Sequence, residues 1–92
     1  MVKVFIKRKV GDETLAELLG LLKKLRSLTL SQPGYVSGET LKRLDRAGEC
    51  MVISIWRSLE DWNSWISNQE RVAVQSEIDR LLGMDTEYEV YG

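Results

Sequence analysis

The chain has 92 residues, of which 43% are hydrophobic and 29% charged, and its formal net charge is −1. This size and balance predict one globular domain, residues 1–92, and exclude a disordered or fibrous chain. Its apolar stretches are far shorter than the roughly 20 residues that a membrane-spanning helix needs. The N-terminus also lacks the continuous apolar run of a secretory signal. We therefore expect a soluble, cytoplasmic protein with no membrane partner.

The charges are unevenly distributed along the chain. Residues 1–46 hold ten Lys or Arg against five Asp or Glu, whereas residues 47–92 hold three against nine. No basic run is long or interleaved with aromatic residues, so we expect no nucleic-acid partner. The asymmetry favours complementary surfaces within one fold or across a dimer.

Cys50 is the only cysteine, and the chain contains no histidine. Cys50 lies inside an apolar run and has no histidine to activate it as a nucleophile. The sequence therefore predicts a buried thiol in a reducing compartment.

The first half of the chain predicts a strand, a helix and a hairpin. Val2–Val10 alternates apolar residues with lysines, the period of a β-strand. "TLAE" at Thr14–Glu17 has the pattern of a capping box and starts a leucine-rich helix. Pro33–Gly34 predicts a turn into a second strand, Tyr35–Leu44, and the polar segment Asp45–Glu49 predicts a hairpin connection.

The third strand, Cys50–Trp56, is apolar at nearly every position. Met51, Ile53 and Ile55 point to one side of it, and the remaining apolar residues point to the other. A strand that is apolar on both sides belongs to a sheet that is covered on both faces.

The last third of the chain predicts helical structure and a final strand. "SLED" at Ser58–Asp61 predicts a helix start, and Trp62, Trp65 and Ile66 follow at helical spacing. Asn68–Gln69 predicts a bend, after which the helical pattern continues. The remaining predicted features are helix from Val72 to Leu82, a helix end at Gly83 and a strand over Thr86–Tyr91.

The order β-α-β-β-α-β predicts a ferredoxin-like α+β sandwich with a four-stranded antiparallel sheet. Its helices can cover only one face of the sheet. The other face, apolar by the argument from strand 3, needs a second cover. A second copy of the chain, packed sheet against sheet, meets that need, so we expect a homodimer.

The chain resembles the antibiotic biosynthesis monooxygenase superfamily of dimeric α+β barrels in two stretches, "QPGYVSGETL" and "ECMVISIWRSLEDWNSWISNQER". The shared pattern is a Pro-Gly-aromatic turn into strand 2, a strand ending in Trp-Arg, a Ser-x-Glu-Asp helix start and a tryptophan in that helix. The likeness runs from Val2 to Tyr91. It implies either a cofactor-independent monooxygenase acting on a small (poly)cyclic, quinol-like aromatic, or a haem-degrading monooxygenase.

The haem-degrading branch uses an asparagine on strand 1, a tryptophan in the helix after strand 3, and a histidine about ten residues beyond that tryptophan. Trp65 matches the tryptophan. Lys7 stands where the asparagine would be, and Gln75 where the histidine would be. Because the iron ligand is missing, we expect no haem degradation, no metal and no cofactor.

The cofactor-independent branch needs an apolar pocket, a partner for a developing oxyanion and exclusion of water. The resemblance implies catalytic roles for Trp65, Lys7 and Arg57, with Lys7 or Arg57 stabilising a phenolate. No general base is evident. The candidate substrate-binding residues, whose aromatic members would wall a cavity between sheet and helix together with Trp65, are Phe5, Tyr35, Trp56, Trp62 and Gln75.

A structural role is the alternative for each of these residues. Trp62 and Trp65 have the spacing of a buried helix face, and Trp56 also suits a dimer contact. Lys7 suits a solvated strand position, and Tyr35 suits packing at the turn. The alternative function is accordingly a non-catalytic, ligand-binding or structural dimer. An RNA-recognition module shares the topology, but "ECMVISIWR" lacks its aromatic signature.

Overall fold

A computed structural model describes all 92 residues. Three helices lie on one face of a four-stranded antiparallel sheet with strand order β2-β3-β1-β4. This confirms the predicted ferredoxin-like α+β fold. No helix is long and apolar enough to cross a membrane. The elements in chain order are β1 (Val2–Lys9), α1 (Asp12–Thr29), β2 (Tyr35–Lys42), β3 (Glu49–Trp56), α2 (Leu59–Ile66), α3 (Gln69–Leu82) and β4 (Glu87–Tyr91).

The predicted start of the first helix is wrong. Helix α1 begins at Asp12 with Gly11 as its N-cap, and no side chain caps it. The Thr14 hydroxyl instead donates a hydrogen bond to the Gly11 carbonyl oxygen at 3.2 Å. Asp12 and Glu13 place negative charge in the first turn, where the helix dipole favours it. The helix therefore starts as soon as β1 has ended.

The start of α2 is confirmed, and the predicted bend is a break between two helices. The Ser58 hydroxyl accepts a hydrogen bond from the Asp61 N–H at 3.1 Å and so caps α2. Asn68 Oδ1 accepts from the Arg71 N–H at 3.0 Å and caps α3. Gly83 ends α3 in the left-handed conformation, with φ of 67°. The break after Ile66 lets α3 start a new direction with Arg71 in its first turn.

The turn before β2 packs against the start of α2. Gly34 has φ of +81°, and a Cβ atom there would overlap the Asp61 carboxylate. The Arg57 N–H donates to the Gly34 carbonyl oxygen at 2.8 Å. Glycine is thus required at this turn both for its conformation and for the close approach.

Two clusters of buried side chains divide the layer between sheet and helices. We call them the aliphatic cluster and the aromatic cluster. The aliphatic cluster is Val10, Leu18, Leu22, Cys50, Val74 and Ile78. The aromatic cluster is Val4, Ile6, Trp56, Trp62 and Trp65.

Strand β3 presents apolar residues to both faces of the sheet, as predicted. Its helix-facing side includes Cys50 and Trp56, both buried. Met51, Ile53 and Ile55 alternate with them and are half-buried on the face that carries no helix, which we call the open face. Trp56 is 0% exposed and packs under the helices, so the alternative that placed it at a dimer contact is wrong.

Candidate functional site

A cavity of about 70 Å³ lies between the sheet and the helices. One part of its wall is aromatic and another is polar. The aromatic part includes Tyr35, Trp56, Trp62, Trp65 and Tyr88, and the polar part includes Arg8, Ser54, Arg71 and Gln75.

The aromatic wall is built around Trp56. Its ring stacks on Trp65 with centroids 6.2 Å apart and planes 26° apart. Tyr35 and Trp62 meet it edge-on, at 5.3 and 5.8 Å. The Trp56 indole N–H donates to the Ser54 hydroxyl oxygen at 3.2 Å, so its polar atom is satisfied inside the core. The result is a rigid surface of ring faces and edges suited to a planar ligand.

Gly38 gives Tyr35 the room it needs beside the cavity. A Cβ atom at position 38 would lie 2.5 Å from the Tyr35 hydroxyl oxygen. The same glycine weakens the strand pattern in the sequence, because it has no side chain to pack. Its absent side chain is what allows Tyr35 to lie against β2 and reach Trp56.

Arg8 and Gln75 form the first half of the polar wall. Arg8 is 4% exposed, and its Nη2 donates to Gln75 Oε1 at 3.2 Å. Its buried Nε has no hydrogen-bond partner. Gln75 Nε2 donates to Asp79 Oδ1 and to Thr86 Oγ1, each at 2.9 Å. Burial lowers the pKa of Arg8, because a charged guanidinium is poorly solvated there.

Arg71 and Tyr88 form the second half. Arg71 Nη1 donates to the Ile66 carbonyl oxygen at 3.0 Å, and Nη2 donates to the Tyr88 hydroxyl oxygen. The guanidinium carbon also lies 5.6 Å from the centroid of the Tyr88 ring. Burial raises the pKa of Tyr88, while the positive charge of Arg71 opposes the rise. Tyr88 is therefore a neutral phenol near pH 7, with its own proton free to be donated.

No carboxylate side chain faces this cavity. Glu39 is the only acidic residue on its wall. It pairs with Ile53 across the sheet, and directly paired residues of antiparallel strands point to the same side. Its side chain therefore lies on the open face with Ile53. Neither Arg8 nor Arg71 forms a salt bridge, so the site carries a net positive charge in a largely apolar surrounding.

The structure brings together most of the residues proposed from the sequence. Five of the candidates line one cavity: Tyr35, Trp56, Trp62, Trp65 and Gln75. Their placement suits both alternatives, because the tryptophans are buried core residues and also wall a cavity. Their roles in binding or catalysis stay predictions.

Phe5, Lys7 and Arg57 lie outside this cavity. Side chains alternate along β1, and those of Phe5 and Lys7 point to the open face. Phe5 meets the ring of Tyr91 edge-on at 5.5 Å, and Lys7 Nζ pairs with Glu89 at 3.0 Å. Arg57 is exposed, one residue beyond β3. The expectation that Phe5 walls a cavity between sheet and helix is therefore wrong. Neither Lys7 nor Arg57 lines this cavity.

Sequence reasoning missed Arg8, Arg71 and Tyr88. Arg8 occupies the same phase of β1 as the buried Val4 and Ile6, so the alternation itself contained the signal. Arg71 lies three residues before Val74, on the buried face of α3. A charged residue at a buried phase is rare enough to mark a site. Tyr88 gave no comparable signal, since a half-buried tyrosine is common in any edge strand.

The fold is a ferredoxin-like α+β sandwich with an aromatic-walled cavity between its sheet and helices. The chain belongs to the antibiotic biosynthesis monooxygenase family, whose model matches residues 1–77. The matched segment runs from β1 into α3 and contains every cavity residue except Tyr88. A comparison with curated proteins finds no match.

Solved structures with the same fold cover almost the whole chain. A conserved protein from Methanosarcina mazei Go1 has 20% identity and a TM-score of 0.89, covering 98% of this chain and 89% of its own. SnoaB, a cofactor-independent oxygenase from Streptomyces nogalater, has 16% identity and a TM-score of 0.86, with coverages of 99% and 90%. Rv0793 from Mycobacterium tuberculosis has 18% identity and a TM-score of 0.86, with coverages of 99% and 92%. At these identities the likeness establishes the fold.

The cavity offers no side chain at the expected position that could bind a haem iron. Gln75, which the resemblance places at the position of the iron-binding histidine, does line the cavity. Its amide oxygen accepts from Arg8, and its amide nitrogen donates to Asp79 and Thr86. An amide committed in this way, beside a guanidinium, offers no basic nitrogen to iron.

Proposed function

We propose that the protein is a cofactor-independent monooxygenase that oxidises a small (poly)cyclic, quinol-like aromatic in this cavity. The observation that carries the proposal is the pairing of a rigid aromatic wall with two buried guanidinium groups that no carboxylate neutralises. The aromatic wall suits a planar ring system. The guanidinium groups favour the ionised form of a bound phenol or enol over its neutral form.

The chemistry needs no external reductant. An acidic ring methylene or phenol loses a proton, and the resulting carbanion transfers one electron to oxygen. Recombination of the radical pair forms a carbon–oxygen bond, and loss of water from the hydroperoxide leaves a carbonyl group. A methylene and one oxygen molecule thus give a carbonyl and one water, with all four electrons supplied by the substrate.

The polar wall supports two parts of this sequence. The Ile66 carbonyl and Tyr88 hold the guanidinium of Arg71 in place, so it can stabilise the substrate anion without first changing its conformation. Tyr88 accepts from Arg71 and remains free to donate its proton to an oxygen anion that forms beside it. The tryptophan wall excludes water, which strengthens both interactions.

Oxygen consumption with 1,4-dihydroxynaphthalene and with anthrone tests the proposal. Wild-type protein should consume oxygen above the uncatalysed rate, and Arg71→Gln should lower kcat by about 10²-fold, the usual effect of losing an oxyanion donor. Tyr88→Phe should lower kcat with little change in KM. Arg80→Gln, an exposed change on the same helix, is the matched control. Ligand-induced stabilisation without oxygen consumption would reject the enzyme and favour a ligand-binding dimer.

We further propose that two copies of the chain pair through the open face. Its apolar residues are half-buried or exposed in one subunit, and they are Phe5, Leu41, Met51, Ile53, Ile55 and Tyr91. Lysines of β1 and glutamates of β4 flank them, as in the Lys7–Glu89 pair. An apolar patch with rims of both charges suits a symmetric interface.

Sedimentation velocity at micromolar concentration tests the dimer. Wild-type protein should sediment as a dimer, and Ile53→Glu should give a monomer because it places a charge at the centre of the contact. Arg80→Glu, at an exposed position of α3 on the helix side of the sheet, should leave the dimer intact. A stable wild-type monomer would contradict the proposal.

A further inference from the structure

We propose that the ligand of this cavity is an aromatic carboxylate and that Arg8 binds its carboxylate group. This inference rests on the cavity being the ligand site, as proposed above, and adds the charge and orientation of the molecule that enters it.

Arg8 is a buried cation that the protein leaves mostly unbonded. A guanidinium carries five N–H donors, yet the side chain of Arg8 makes one hydrogen bond, from Nη2 to Gln75 Oε1. Its Nε is buried without a partner, although buried polar groups nearly always have one. An amide oxygen is also a neutral acceptor, so no charge within bonding distance offsets the guanidinium.

The surroundings of Arg8 do not supply a counter-charge from further away either. Burial is the main cause that lowers the pKa of Arg8; Tyr88 and Cys50 raise it, but burial raises their own pKa values, so both are neutral near pH 7. Arg71, a second cation, lowers the pKa of Arg8, and Asp79 raises it. The Asp79 carboxylate is held by Gln75, so one side chain separates it from Arg8. The salt bridges of the protein all lie elsewhere, at Lys7, Lys24, Arg43 and Arg46.

A carboxylate fits this arrangement in both geometry and charge. Its two oxygens match the paired N–H donors of a guanidinium and accept two parallel charge-assisted hydrogen bonds. A carboxylate at the guanidinium would neutralise the buried charge, which the protein itself leaves unpaired. Burying an unpaired ion costs free energy. A ligand that pairs with Arg8 removes part of this cost, and its affinity is higher for that reason.

The aromatic wall indicates that the carboxylate is attached to a planar ring. Trp56 and Trp65 stack on each other in the wall of the cavity that Arg8 also lines, from β1. A planar ring against these indoles, with its acid group directed toward Arg8, uses both walls.

A purely structural role for Arg8 makes the opposite prediction for stability. If Arg8 serves to join β1 to α3 through Gln75, then Arg8→Met should lower the melting temperature of the ligand-free protein. If Arg8 serves a ligand, Arg8→Met removes a buried unpaired charge and keeps the side-chain volume. The melting temperature should then stay the same or rise.

Binding of 2-naphthoate and of 2-naphthamide tests the proposal, measured by tryptophan fluorescence without oxygen. Wild-type protein should bind the carboxylate at least 10-fold more tightly than the amide. Arg8→Met should remove this preference, and Arg8→Lys should keep part of it. Arg80→Met, the same change at an exposed position of α3, should keep all of it.

Two results would overturn the proposal: equal wild-type affinity for the two compounds, or a preference that survives Arg8→Met. Because binding is measured without oxygen, the outcome is independent of turnover. A carboxylate preference without oxygen consumption would uphold the ligand class and reject the monooxygenase. Oxygen consumption with neutral quinols and no carboxylate preference would do the reverse.

Discussion

The aliphatic and aromatic clusters lie side by side under the same sheet, yet they use their side chains differently. The aliphatic cluster joins α1 to α3 through branched side chains that adapt to one another, and Leu18 and Ile78 are fully buried there. The aromatic cluster places three rigid indoles beside two buried arginines. Flat rings cannot fill every gap between a sheet and a helix, so a cavity remains at this end. The difference separates a part of the layer packed with aliphatic side chains from a part that encloses a cavity.

The largest expected effect is on stability, from the aliphatic cluster. Ile78→Ala removes a fully buried side chain and leaves a void, which should lower the free energy of unfolding by about 2–5 kcal/mol. Affinity for 2-naphthoate should be unchanged. Chemical denaturation measures the loss, and Val72→Ala, exposed on the same helix, should change stability by less than about 0.5 kcal/mol. A ligand affinity that falls with Ile78→Ala would break the separation between the clusters.

The next effect is the response to alkaline pH. Burial raises the pKa of the Cys50 thiol, so the unfolded state ionises first as pH rises. The contribution of the buried thiol to the free energy of unfolding is fully present below about pH 8.5, the pKa of the thiol in the unfolded state. Above that pH the free energy of unfolding falls by up to about 1.4 kcal/mol per pH unit. Denaturation between pH 8 and 10 should show this slope in wild type and not in Cys50→Ala. Tyr88, whose pKa is also raised, should add to the slope only above about pH 10.

A smaller stability effect, with a larger binding effect, is expected at Trp65. Because Trp65 lines an existing cavity, Trp65→Phe should lower the free energy of unfolding by less than about 1 kcal/mol, against about 1–3 kcal/mol for a plain core position. Affinity for planar aromatics should fall. Thermal melts with and without a naphthoquinol ligand measure both. A large stability loss with an unchanged ligand shift would assign Trp65 to packing alone.

The smallest effect is expected at Lys7, the neighbour of Arg8 on the other face of the sheet. Its pKa is raised by the hydrogen bond to Glu89, and the pair lies in solvent. Lys7→Gln should leave oxygen consumption and 2-naphthoate affinity unchanged, whereas Arg8→Gln should reduce the affinity. Steady-state oxygen uptake compares the two variants. A loss of turnover with Lys7→Gln would restore the catalytic role that the family resemblance implies for it.

The sequence predicts the fold well because the fold depends on local patterns. Alternation in β1 and β3 and the Ser58 cap each act within a few residues, and all three are present as expected. The Thr14 cap fails because a Gly11 start, followed by acidic residues, competes with it at the same helix end. The site is harder to predict because it depends on contacts such as that between Arg8 and Gln75, which are 67 residues apart. Composition rules also assign arginine to solvent, so the sequence alone does not single out Arg8 or Arg71.

The side chain of Arg71 joins the end of one helix to the inside of the cavity. Its guanidinium donates to the Ile66 carbonyl, where the dipole of α2 concentrates negative charge, and it also donates to Tyr88. Any anion that forms in the cavity competes with the end of α2 for the same positive charge. The charge of a ligand in the cavity and the carbonyl end of α2 are therefore linked through one side chain, without any movement of Arg71.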